Sequence, residues 1–180
     1  MQAQILIYIT TFLFYASALL IHDGLIAGVI NERESNTATD ITRFKMRNAE
    51  MIEDHQTGLV WQRCPWGSQG SECEIGDAMR VPWQDARLIA STHSTEVCET
   101  WRLPSLVELN SLVEPQAQGI QIDQHYFPNT QATWYWTATT YDPSNTWIRV
   151  VSFFDGSQFD SLATNSGPLR LVCGEHHRVG

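Results

Sequence analysis

The chain has 180 residues, 43% of them apolar and 17% charged, with a formal net charge of −9. Seven Trp, seven Phe and five Tyr can fill one substantial core, which excludes intrinsic disorder. The acidity, with no basic cluster beyond Arg43, Lys45 and Arg47, excludes nucleic acid as a partner, because a phosphate backbone would be repelled.

Residues 1–21 carry no charged side chain, and an apolar stretch runs from Ile5 to Ile21 past the small residues Ala16-Ser17-Ala18. It reads as a signal peptide. Because a basic start is missing and apolar character resumes from Leu25 to Ile30, an N-terminal anchor is the alternative, with residues 3–21 as a membrane tether. Both readings imply export. Residues 22–47 read as a polar linker, 48–175 as the folded domain, and 176–180, with His176-His177, as a solvated tail.

Within the domain, Asp54 to Gly58 is a turn cluster and Leu59-Val60-Trp61 a short strand. Residues 81–90 predict a helix with Pro82 near its start and Trp83, Ala86, Leu88 and Ala90 on its apolar side. Trp101 to Leu103 is extended, since Pro104 disfavours helical geometry in the residue before it. Ser105 and Glu108 form a capping-box pattern, Leu106, Leu109, Leu112 and Val113 recur at helical spacing, and Pro115 ends that helix. The chain then turns to strands: Trp134 to Thr139, a hairpin from Thr146 to Phe159 about Asp155-Gly156, and Pro168 to Cys173. Strand, helix, helix and several strands in that order predict an α+β fold with an antiparallel sheet.

Four cysteines, Cys64, Cys73, Cys98 and Cys173, are an even count in an exported chain. Three pairings are possible. Cys64–Cys73 is favoured because the intervening Pro-Trp-Gly-Ser-Gln-Gly can turn back on itself, which leaves Cys98–Cys173. No CxxC or zinc-like spacing occurs, so no metal and no cofactor is expected.

Three stretches in order, residues 54–64 (DHQTGLVWQRC), 81–114 (VPWQDARLIA to WRLPSLVELNSLVE) and 127–173 (FPNTQATWYWTAT, WIRVVSFFDG, LRLVC), resemble the Lcl C-terminal-domain family of bacterial exported proteins. The resemblance implies a C-type-lectin-like fold, two short helices on a small antiparallel sheet with long loops. The middle section is also similar to the formylglycine-generating (sulfatase-modifying) enzymes, which share a W-x-D-A helix followed by RLP-x-x-x-E. Under that resemblance Trp83, Asp85, Trp101, Arg102, Pro104 and Glu108 form a packing junction, with Arg102 paired to either Asp85 or Glu108. Family members that sit behind collagen-like repeats bind sulfated polysaccharides as trimers, which leaves a homo-oligomer open. This chain has no Gly-X-Y repeat, and its acidity argues against polyanions.

Glu114-Pro115-Gln116 is similar to the Glu-Pro-Asn of calcium-binding lectins, but Trp147-Ile148-Arg149 offers no partner carboxylate, and calcium needs six to eight oxygens. Oxidase chemistry of the formylglycine-generating type needs a reactive cysteine pair, which a bonded Cys173 cannot supply. The expectation is therefore a non-catalytic ligand-binding or adhesion domain for a glycan or protein partner; an oxidase or a structural accessory subunit is the alternative. Exposed aromatic residues on the strands would make the contacts. The candidates are Trp134, Tyr135, Tyr141, Asp142 and Arg149, while alternation assigns Trp136 and Trp147 to the core.

Overall fold

A computed structural model describes residues 42–115 and 117–175. The leader, most of the linker, Gln116 and the His176-His177 tail lie outside the described residues. Among the described residues no helix is long and apolar enough to cross a membrane. The architecture is α+β, with two helices and antiparallel sheets.

The first sheet begins with β1 (Phe44–Met46), β2 (Met51–Asp54) and β3 (Leu59–Gln62). Gly58, at φ +74°, lets the Asp54 carbonyl accept its amide at 2.8 Å, and this closes the β2–β3 turn. β1 lies inside the stretch read as a linker, and Phe44 is buried in the core. The folded unit therefore starts before residue 48. Its charged, three-residue strand gives no periodic signal. The sheet is completed from far away in the sequence by β10 (Val172–Cys173), which pairs with both β3 and β5 (Trp101–Arg102), in the order β1-β2-β3-β10-β5.

Helix α1 (Trp83–Thr92) turns Trp83, Ala86 and Ala90 inward, a spacing that fits one helical face. Leu88 does not belong to that face and is 62% exposed, contrary to the sequence expectation. Helix α2 (Leu106–Asn110) has the predicted capping box: the Glu108 amide donates to Ser105 Oγ at 3.2 Å, and the Ser105 amide donates to Glu108 Oε2 at 2.7 Å. It ends before Pro115, because Leu112 and Val113 continue as tight turns, their amides bonding the carbonyls of Leu109 and Asn110.

Strands β6 (Trp134–Thr140), β7 (Trp147–Ser152) and β8 (Gln158–Leu162) form a three-stranded antiparallel meander. The expected Pro168–Cys173 strand is split. β9 (Gly167–Pro168) pairs with β4 (Arg80–Val81), and Leu169 to Leu171 cross, fully buried, to β10. β7 is covered on both faces: Val151 packs with Tyr135, Leu109 and Phe153, while Ile148 and Val150 pack with Trp136, Trp83 and Leu169.

Arg170 is fully buried between the elements. Its guanidinium donates to the Gln62 carbonyl and to Thr130 Oγ1, each at 2.7 Å, and to the Arg63 carbonyl, and it lies 4.9 Å from the centroid of the Phe127 ring. Burial brings its pKa down to about 10, so it stays a cation held by neutral acceptors.

Candidate functional site

Two-sided burial of the meander scatters the aromatic residues proposed from sequence. Tyr135 is 0% exposed, and its hydroxyl accepts the Gln131 amide at 3.1 Å. It is a core residue, not a contact. Alternation fails here because both faces of β6 meet a core, so Tyr135 and Trp136 are both interior. Trp147, expected in the core, is 42% exposed because it starts β7 beyond both clusters.

Trp134 is half-buried, 4.7 Å from Trp136 between ring centroids, with the Arg80 guanidinium 5.7 Å from its ring centroid. Its indole covers Gly167 so closely that a Cβ there would lie 2.1 Å from the ring. Asp142 spends its carboxylate on the hairpin, accepting the amides of Ser144 at 3.1 Å and Trp147 at 2.8 Å. Arg149 faces Asp160 at 3.4 Å. Tyr141 alone of the five is freely presented, 65% exposed at the hairpin loop. They do not converge on a site.

The residues of the Trp-Arg-Leu-Pro junction do converge, internally. Arg102 forks onto Glu108 with two 2.7 Å bonds and also donates to the Gly174 carbonyl at 2.6 Å. Asp85, the other candidate partner, is exposed in the first turn of α1. Burial pushes the Glu108 carboxyl up, but Arg102 and the Ser105 amide outweigh it and hold it below the ordinary value. The Pro104 carbonyl accepts the Ala138 amide at 2.7 Å, and Thr139 Oγ1 accepts the Leu106 amide at 2.9 Å, so the junction pins α2 to β6. Trp83 donates its indole N–H to the Thr137 carbonyl at 2.8 Å, and Trp101 donates to Thr95 Oγ1 at 3.2 Å.

Sequence reasoning missed a cleft of about 340 Å³ between the Cys64–Cys73 loop and the end of α1. The loop is firmly held. Cys64 and Cys73 are bonded, as are Cys98 and Cys173. The Trp66 amide donates to Leu169 at 3.0 Å, Met79 to Trp66 at 2.8 Å, and Gln69 and Ile75 exchange bonds of 2.8 and 3.0 Å. Gly67, at φ +98°, has Asp77 O only 2.7 Å from where a Cβ would sit, so no side chain fits.

Trp66 and Pro65 give the cleft apolar surface; Glu50, Gln62, Gln69 and His93 bring polar groups. His93 follows α1, its ring 4.9 Å from Trp66 and 5.7 Å from Trp101. Burial pulls the imidazole below its ordinary value, against the opposing pull of the Glu50 carboxylate, so it is neutral at pH 7. Gln62 Oε1 is spent on the Leu171 amide. Among the described residues, no protein partner takes the Glu50 carboxylate, Gln62 Nε2, the Trp66 indole N–H, the Gln69 side-chain carboxamide or the His93 ring nitrogens. The sequence signal that could have led here is a tryptophan set between Pro and Gly inside a short disulfide loop.

A second hollow of about 380 Å³ lies beside β2 and β3. Its charges are already paired, Arg47 with Glu53 at 3.0 Å and Asp54 with Arg43 at 2.9 Å. Among the described residues no three His, Cys, Asp or Glu side chains are grouped to hold a metal ion.

Comparison with curated proteins returned no match. Residues 50–173 match the model of the Lcl C-terminal domain. That span takes in the junction, both disulfides and every residue named in the cleft, and the chain belongs to the Lcl C-terminal domain family.

Proposed function

We propose that this chain is an exported, non-catalytic recognition or adhesion domain, C-type-lectin-like in fold, that holds a glycan or a protein partner at the cell envelope or outside the cell. One observation carries the reading: a preformed cleft in which aromatic surface is surrounded by polar side chains with no internal partner. Ligand pockets combine apolar surface with a few polar groups, and here those groups face solvent, free to meet a ligand.

Export is supported by the two disulfides, which are compatible with an extracellular or periplasmic location. Residues 3–21 would supply the signal or the tether. The bonded sulfurs speak against the thiol-dependent oxidase alternative, since none of the four cysteines is free. The Ser68 hydroxyl beside the cleft is likewise committed, donating to the Pro65 carbonyl at 2.9 Å.

The test is to screen the full chain against glycan and envelope-protein arrays, with and without chelator. The expected result is saturable binding that ignores the chelator and falls at least about ten-fold in Trp66→Ala. Binding abolished by chelator would demand a cation site. No binding to either array would transfer the chain to the class of structural subunits.

A further inference from the structure

We propose that the cleft beside Trp66 takes a neutral saccharide of one or two rings and rejects acidic ones; this names the ligand class for the recognition reading and rests on it. The argument is a balance of donors and acceptors. A sugar hydroxyl donates and accepts at once, so its site needs both kinds of group. Glu50 can only accept; Gln62 Nε2 and the Trp66 indole N–H can only donate; the Gln69 side-chain carboxamide and neutral His93 do both. A bound ammonium would have no use for the donors. A sulfate or uronate would meet the Glu50 carboxylate with no Lys or Arg in the lining to offset it.

Size and surface agree. The hollow of about 340 Å³ stands near the lower end of small-ligand pockets, which run from about 300 to 1,000 Å³. Trp66 and Pro65 offer apolar surface for the C–H face of a sugar ring. The second hollow lacks both features: it has no Trp, Tyr or Phe in its wall, and its charges are taken up by Arg47–Glu53 and Arg43–Asp54.

The experiment follows the Trp66 indole N–H and the amides of residues 65–70 by NMR in the full chain. Three probe sets are titrated: neutral disaccharides (maltose, cellobiose and diacetylchitobiose), a heparin disaccharide, and lysine amide. At least one neutral probe is expected to shift these signals saturably, about ten-fold more weakly in Glu50→Gln, which loses a charged acceptor without disturbing the fold. The other two sets should leave them unmoved. Shifts caused by the acidic or cationic probe alone, or no shift with any probe in a chain that binds an array, would overturn the ligand class and keep the recognition reading. No shift with any probe, in a chain that binds neither array, overturns both.

Discussion

The Trp-Arg-Leu-Pro junction and the Trp66 cleft are built from the same kinds of side chain, each with tryptophan, carboxylate and a nitrogen base. In the junction the side chains of Trp101, Arg102 and Glu108 are spent: Arg102 on Glu108 and Gly174, Glu108 also on Ser105, and Trp101 on Thr95. In the cleft, Glu50, His93 and the Trp66 indole face a hollow with no internal partner. The junction's paired groups hold the fold, while the cleft's solvent-facing groups are free to meet a ligand. Substitution should therefore separate the two regions by readout, with stability lost at the junction and binding lost at the cleft.

The largest effect is expected at the staple that closes the junction. Cys98–Cys173 spans 75 residues and Cys64–Cys73 spans 9. On the chain-entropy argument, paired serine replacement should cost about 4 to 5 kcal/mol for the long link and about 2.5 for the short one. Denaturant unfolding of the two double variants measures both, and a reversed order would break the assignment of stability to the junction. Next comes Arg102→Ala. It strands Glu108, whose side chain is 5% exposed, but Arg102 itself is 36% exposed and so partly screened. The loss should be about 2 to 3 kcal/mol, below that of a fully buried pair.

Acid should expose the same pair. Burial raises the Glu108 carboxyl, yet Arg102 brings it net below its ordinary 4.5. Asp54, raised by burial and lowered further by Arg43, likewise ends below its ordinary 3.8. A depressed folded value means that the stabilisation is fully present above the unfolded value and is lost as pH falls through the folded one. Melting temperature should therefore drop from about pH 4.5 downward, and more gently in Arg102→Ala. An identical slope in that variant would show that Arg102 does not hold the carboxylate.

What was legible in the sequence was local. The Ser105–Glu108 box, the Asp155-Gly156 hairpin and the α+β order each depend on a few neighbouring residues and proximal backbone bonds. Tyr135 was misplaced because alternation informs only where one face of a sheet meets water, and β6 meets a core on each side. The cleft was invisible for another reason. Glu50, Gln62, Trp66 and His93 come from separate stretches, joined by pairings such as the Arg63 amide to Glu50 O at 2.7 Å and Trp66 to Leu169 at 3.0 Å. No window of sequence holds them together.

The smallest change in stability, and the sharpest form of the comparison, is a pair of surface substitutions. Glu50 is exposed with no partner for its carboxylate among the described residues, and Tyr141 is 65% exposed on the hairpin, outside the cleft lining. Neither Glu50→Gln nor Tyr141→Ala should move the unfolding free energy by more than about 0.5 kcal/mol, because no buried contact or paired charge is removed. They should part company in binding. Glu50→Gln weakens ligand capture about ten-fold, the expected cost of a charged acceptor, while Tyr141→Ala leaves it unchanged. Should Tyr141→Ala be the variant that loses the ligand, the hairpin would be the contact face after all, and the unpartnered atoms of the cleft would no longer mark where this domain meets its ligand.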